Sequence, residues 1–125
     1  MISNIFDSTK VLQKALEGTW TRNEVISQNI ANVDTPGYKR ETVSFEDLLK
    51  NAMDGSTIDN SSVDDVEIMV SQDNKTLSTR LDGNNVDIEN EMASMAKNTI
   101  QYNTLVQCIS SSYKRLASAI SEGRK

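Results

Sequence analysis

Residues 87–123 read DIENEMASMAKNTIQYNTLVQCISSSYKRLASAISEG. Within that stretch Ile88, Met92, Met95, Thr99, Tyr102, Val106, Ile109, Tyr113, Leu116 and Ile120 follow one another at steps of three and four, and nine of these ten are apolar or aromatic. Such alternation holds one narrow stripe against a partner helix along its whole length. Asp87 is placed to cap the free amides at the start, and Glu89 and Glu91 suit the positive end of the helix dipole. Gly123, ahead of Arg124 and Lys125, supplies a stop with positive charge at the negative end. The spacing therefore predicts one long helix built to pair.

A matching stripe opens the chain, through Ile2, Ile5, Thr9, Leu12, Leu16, Thr19, Asn23, Ile26, Ile30 and Val33, of which seven in ten are apolar. Pro36, followed by Gly37, disfavours helix just before it, so this first helix is expected to end near residues 32–34. Helices of this length are on the order of 45–50 Å long. Thr9, Thr19, Asn23 and Thr99 weaken the seam but penalise wrong alignments. The expected pairing residues are Leu12, Leu16, Ile26 and Ile30 on one side and Met92, Met95, Tyr102, Val106, Ile109, Tyr113 and Leu116 on the other. The plain alternative is the core of a closed helical bundle. Against it stand the narrowness of the stripes and the shortage of other core-forming segments. Trp20 and Leu105 lie beside the stripes and carry apolar surface past a two-helix contact, which suits docking on other subunits.

Between the helices the composition changes. Residues 41–91 carry three basic and thirteen acidic groups, residues 1–40 five and four, and residues 92–125 five and one. Residues 44–50 are expected to form a helical turn or two, and residues 51–65 a mobile Asp/Ser/Asn/Gly loop. Val66, Ile68 and Val70 alternate with Glu67 and Met69, a short strand signal whose expected hairpin partner is residues 76–81. The fold class expected is mainly α: two long N- and C-terminal helices paired as an α-helical coiled coil, with a small irregular or β middle segment. The divisions fall at 1–38, 39–86 and 87–125, together one domain.

Composition excludes much chemistry. A chain of 125 residues is one domain's worth, with 37% hydrophobic and 5% aromatic residues. There is no histidine, which removes His-based general bases, Ser-His and Cys-His pairs and His metal sites. The single cysteine, Cys108, cannot form an internal disulfide or a thiolate cluster and reads as a passive thiol. A net charge of −5 argues against nucleic acid. No window approaches the roughly 18 apolar residues that cross a bilayer, and MISNIFDSTKVLQ lacks the regions of a cleavable signal. The densest acidic cluster, Asp64, Asp65 and Glu67, lacks the spacing and glycine of a calcium loop and reads as a solvated loop. Glu89 and Glu91, two apart on a helix, do not face each other as a catalytic pair. No catalytic, cofactor or metal residue is expected, and no small-molecule substrate.

Residues 27–40, SQNIANVDTPGYKR, are more specific. Asn29 and Asn32 sit where side-chain amides reach unpaired carbonyls at a helix end, Asp34 and Thr35 suit an Asx-type turn, and Pro36-Gly37 suits a type II turn with glycine at positive φ. A helix terminator needs only one or two such residues.

The segment Ala31-Asn32-Val33-Asp34-Thr35-Pro36-Gly37-Tyr38 after a long amphipathic helix resembles the signature of the flagellar axial proteins. The likeness continues through Phe45-Glu46-Asp47-Leu48-Leu49, residues 81–92 (LDGNNVDIENEM), Ala96-Lys97-Asn98 and Tyr102. In that order and at this length the chain is most similar to the FlgB family of the proximal rod of the flagellar basal body. The other readings are another rod- or hook-type axial protein and a non-flagellar coiled-coil adaptor. The resemblance implies a structural subunit, with no cofactor, that polymerises helically through its terminal helices, transmits torque and lines the export channel. It implies export across the inner membrane by the flagellar type III apparatus, unfolded and without a cleaved signal, into the periplasmic or cell-wall space. The partners implied are other copies of itself, other rod proteins and a rod-to-motor adaptor at the base. The turn residues Asn29, Asn32, Thr35, Pro36, Gly37 and Tyr38, with Trp20 and Leu105, become the expected assembly interface. Phe45 and Leu49 have the spacing of an export-gate motif, and core packing of Phe45 explains them equally well.

Overall fold

The computed structural model describes residues 2–53, 63, 66–73 and 81–123. The order is α1 (Ile2–Ala31), β1 (Glu41–Ser44), α2 (Glu46–Met53), β2 (Met69–Gln72) and α3 (Ile88–Glu122). The two long helices, of 30 and 35 residues, lie antiparallel against each other. Gln13 Nε2 donates to the Tyr113 hydroxyl at 3.2 Å, the Trp20 and Tyr102 rings lie 6.4 Å apart, and Asn98 Nδ2 donates to the Thr19 carbonyl at 2.8 Å. The expected fold class is therefore the one observed. The expected caps also stand: Asp87 accepts from the amides of Glu89 and Asn90, and the Gly123 amide returns to Ala119.

α1 carries a second stripe beside the expected one. Val11, Ala15, Gly18, Arg22, Val25 and Asn29 step four, three, four, three, four, and this face receives β1 and α2. Val11, Val25, Val43, Phe45, Leu49 and Val63 form one buried cluster there. Gly18 makes room for it, since a Cβ at that position would stand 2.6 Å from the Phe45 ring. Arg22 lies over the same ring, 5.0 Å from its centre, donates to the Val43 carbonyl at 3.1 Å and pairs with Glu46 at 2.5 Å. The middle segment is thus part of the core; the shortage of core-forming segments inferred from the sequence is corrected by this second stripe.

The contact face of α3 also differs from the expected seam. Met95, Tyr102, Ile109 and Leu116 are half-buried as expected, but Met92, Val106 and Tyr113 are exposed, Met92 by 61%. In their place the neighbouring positions Glu91, Asn98, Leu105 and Ser112 turn toward α1, with Glu91 and Asn98 fully or almost fully buried. Half of the expected seam stays and the other half moves back by one residue, so the contact face is rotated by about half of the roughly 100° that one residue spans. The reason is polar anchoring. Glu91 and Asn98 find hydrogen-bond partners on α1, although the Asn98 Oδ1 has none among the described residues.

β1 and β2 form a two-stranded antiparallel sheet, with Glu41 opposite Gln72 and Ser44 opposite Met69. The partner of β2 is therefore Glu41–Ser44, not residues 76–81, of which 76–80 lie outside the described residues. α2 runs to Met53, past the start of the expected loop at Asn51; residues 54–62, Asp64 and Asp65 lie outside the described residues.

Candidate functional site

The two motifs far apart in sequence, residues 29–41 and 81–91, close on each other at one end of the helix pair. At the turn, the Tyr38 amide returns to the Thr35 carbonyl at 3.3 Å across Pro36-Gly37, and Gly37 has φ 73°, as a type II turn requires. A residue with a Cβ rarely adopts that conformation. The Gly37 amide donates to the Asp82 carbonyl at 2.9 Å, and Gly83, φ 80°, brings its backbone to the turn: a Cβ there would lie 3.8 Å from the Gly37 Cα. Lys39 Nζ donates to the Gly83 carbonyl at 2.7 Å.

Three buried side chains then hold this clasp. Asn84 donates from Nδ2 to the carbonyls of Asn32, Val33 and Thr35 at 2.9–3.0 Å, which ties down the turn that follows α1. Its Oδ1 accepts from the Val86 amide at 2.7 Å. Asn29, fully buried, pairs with Glu41 as a strand would: Nδ2 donates to its carbonyl at 2.8 Å and Oδ1 accepts from its amide at 2.9 Å. The remaining capacity of that amide goes to Glu91 Oε2 at 3.1 Å and to the Tyr38 hydroxyl at 3.3 Å. All four hydrogen-bonding positions of an asparagine are thereby used.

Glu91 is the third. Its side chain is fully buried in the first turns of α3, accepts from Arg40 Nε and faces the positive helix end. A buried carboxylate needs such pairing, since desolvation alone costs several kcal/mol. Arg40 ties in the sheet as well: its amide donates to Asn85 Oδ1 at 2.7 Å, its carbonyl accepts from the Asp73 amide at 2.7 Å, and its guanidinium lies 3.6 Å from the Asp73 carboxylate. Asn85 Nδ2 donates to the Asp73 carbonyl at 2.7 Å. Burial, reinforced by the Glu41 and Glu91 carboxylates, pushes the Tyr38 hydroxyl above its ordinary pKa of 10.0.

This arrangement fixes the direction in which the chain leaves α1 and the register in which α3 returns along it. The carboxylate and guanidinium at its centre are spent on each other. No group of three or more acidic or cysteine side chains suited to a metal ion occurs among the described residues, and no helix there is long and apolar enough to cross a membrane.

Residues 11–39 match the family model described as flagella basal body rod protein. A flagellar basal body rod protein FlgB of Bacillus subtilis (strain 168) is 34% identical over 90% of this chain and 92% of its own length. The chain belongs to the FlgB family. The Escherichia coli (strain K12) FlgB is 28% identical over 98% of this chain and 99% of its own, and that of Borrelia hermsii 35% over 79% and 85%. FlgB proteins are structural components of the flagellar basal body rod, and theirs is not an enzyme family. The family-matched segment covers most of α1, with the whole of its second stripe and the first stripe from Leu12 onward, and the clasp turn.

Within this FlgB fold the expected interface residues divide. Thr35, Pro36 and Gly37 are exposed at the turn, and Trp20 is 55% exposed beside Tyr102. Asn32 is half-buried, with Nδ2 on the Gln28 carbonyl at 2.8 Å and Oδ1 on the Thr35 hydroxyl at 3.2 Å. Asn29 lies wholly inside the chain and Tyr38 partly so; in the folded chain both serve the clasp. Leu105 is half-buried and lines a groove of about 600 Å³ with Ala15, Phe45, Leu49 and Ile100. Phe45 and Leu49 are core residues. The sequence places Arg40 in the 27–40 stretch and Asn84, Asn85, Glu91 and Asn98 in the segments that carry the family likeness, but assigns none of them a site role. The signal that points to Asn84 and Asn85 is two consecutive asparagines after an Asp-Gly turn, a pattern suited to reaching backbone groups of another segment.

Proposed function

We propose that this chain is a structural subunit of the proximal rod that polymerises through α1 and α3, transmits torque through them and lines the export channel. The observation that carries this reading is the exposed face of the helix pair. The clasp holds α1 and α3 in one register, yet Met92, Val106, Tyr113 and Ile120 stay exposed at intervals of seven or fourteen residues, and Trp20 is exposed beside Tyr102. A soluble chain that works alone gains nothing from an apolar row of that length, whereas a polymer buries it. Contacts between unlike surfaces that do not close generate a filament. The neighbours of this subunit are further copies, other rod proteins and an adaptor at the motor base. Its route is the type III export apparatus, which delivers it without a cleaved signal to the space outside the inner membrane.

The test is recovery of the chain from the rod itself. A strain lacking the chromosomal copy and carrying an epitope-tagged one is expected to regain motility, with the tagged chain in the rod fraction of purified basal bodies. Restored motility with the tag absent from that fraction overturns the proposal.

A further inference from the structure

A cleft of about 80 Å³ opens between the two long helices, lined by Trp20 and Asn23 of α1 and by Asn98, Thr99 and Tyr102 of α3. Two of its walls are aromatic: the Trp20 and Tyr102 rings stand 6.4 Å apart with their planes 46° from each other, and Trp20 is exposed. A third wall is Asn98, only 2% exposed. Its Nδ2 is used on the Thr19 carbonyl, while its Oδ1 has no hydrogen-bond partner among the described residues. A buried amide oxygen without a donor is costly, so Asn98 stands ready to accept an N–H from outside the chain.

Charge decides what that donor belongs to. Over residues 17–27 of α1 and 95–106 of α3 the charged side chains are Glu17, Arg22, Glu24 and Lys97. The two cations lie on the other flank of the helix pair, where they line a separate cleft with Arg40 that Asn98 also borders. The two acids stand three residues before and four after Trp20, on its face of α1, and both are exposed. Glu17 shares its charge with Lys14 at 3.2 Å, and Glu24 has no ion pair among the described residues. Electron-rich ring faces, an unpartnered amide oxygen and an acidic rim converge on an organic cation. A guanidinium suits these groups best. It is planar and weakly hydrated, stacks on an aromatic face and keeps N–H donors along its edge, whereas an ammonium is a compact, strongly hydrated point charge.

We propose that the Trp20–Tyr102 cleft binds a guanidinium group, flat against Trp20, with an N–H on Asn98 Oδ1 and its charge met by Glu17 and Glu24. A small solute and an arginine of another chain both carry that group. The site is complete within one chain and so does not rest on the rod reading.

Trp20 is the only tryptophan, so its emission reads occupancy directly. Titration of the purified full-length chain with propylguanidinium chloride, at concentrations that leave the helical dichroism unchanged, is expected to give a saturable change in that emission. Propylurea, the neutral isostere with comparable N–H donors, is expected to bind about tenfold more weakly. Glu17→Lys with Glu24→Lys, both exposed and outside the clasp, is expected to weaken propylguanidinium about tenfold with the helical dichroism unchanged. No saturable response, an equal response to propylurea, or affinity indifferent to the two reversals overturns the proposal. Purified basal bodies then separate the two sources of the group. Depletion of the folded double variant from the rod fraction assigns the cleft to an arginine of a neighbouring chain, and normal content assigns it to a soluble guanidinium compound. A wild-type chain absent from basal bodies loses the rod reading and leaves the cleft to be scored by the titration alone.

Discussion

At the scale of single residues the clasp concentrates cost. Removing one partner of a buried ion pair leaves the other charge desolvated, an effect of about 3–5 kcal/mol. Glu91→Ala is therefore expected to lower stability by about 3 kcal/mol, since Arg40 keeps only the longer approach to Asp73. A urea melt with the midpoint lowered and the slope unchanged checks it; a shift below about 1 kcal/mol contradicts the role given to the pair. Two titrations add a pH signature of known sign. The Tyr38 hydroxyl is held above its ordinary 10.0, so the folded chain retains a proton that the unfolded chain has released. That contribution is complete below pH 10.0 and disappears as the pH rises through the higher folded value. Glu46 has the opposite sign: its partial burial raises its pKa, but the hydrogen bond and charge of Arg22 outweigh that and hold it below its ordinary 4.5. Its contribution is present above 4.5 and lost as the pH falls through the lowered value. Stability measured against pH is expected to fall at both extremes, with the alkaline limb flattened in Tyr38→Phe and the acid limb in Glu46→Gln. Unchanged limbs in these variants contradict the assignments.

At the scale of elements, α1 is the centre of the molecule because it carries two stripes where α3 carries one buried face. Gly18 is the clearest mark of the second stripe. Alanine at a helix interior ordinarily gains up to about 1 kcal/mol over glycine. Here the added methyl stands 2.6 Å from the Phe45 ring, and overpacking of that kind costs about 1–3 kcal/mol. Gly18→Ala is thus expected to destabilise the chain by about 1 kcal/mol in thermal or urea melts, against the propensity trend. The same asymmetry bears on local stability. Amides of α1 between Val11 and Asn29 lie between two packed layers, whereas the last turns of α3 beyond Leu116 have only exposed residues. Hydrogen exchange of the dilute chain is expected to protect the former and release the latter within the shortest labelling times. Equal protection of both segments contradicts this.

Much of this scale was legible in the sequence, and the failures have physical causes. The helices followed from three-four spacing, their ends from Pro36-Gly37 and Asp87, and the turn geometry from the glycine. The buried face of α3 did not follow, because hydropathy counts Glu91 and Asn98 as solvent-seeking while their hydrogen bonds to α1 decide the register. The partner of β2 was missed because hairpin signals favour near neighbours, whereas Glu41–Ser44 is presented to it from across the fold by Asn29. The clasp itself was half-visible. Its two motifs stood out, but side chains such as Asn84 that bond three carbonyls of a remote turn leave no local period to read.

At the scale of the whole molecule, residues that hold the fold separate from residues that face outward, and the separation can be measured. Trp20 touches Tyr102 from the side and leaves more than half of itself in solvent, so little of the fold depends on it. The loss of a tilted aromatic contact costs about 0.5–1.5 kcal/mol. Centrally placed tryptophans in interfaces cost about 2 kcal/mol or more when truncated. Trp20→Ala is therefore expected to keep its helical dichroism and a melting temperature within a few degrees of the parent chain, yet to be depleted from purified basal bodies. Asn84→Ala is expected to do the reverse first: it removes the side-chain donor shared by three carbonyls of the turn that follows α1, lowers the melting temperature, and loses assembly only as a consequence. A Trp20→Ala strain with full motility and normal rod content removes the exposed face from the assembly account, while a Trp20→Ala chain that unfolds shows that the tryptophan belongs to the core after all.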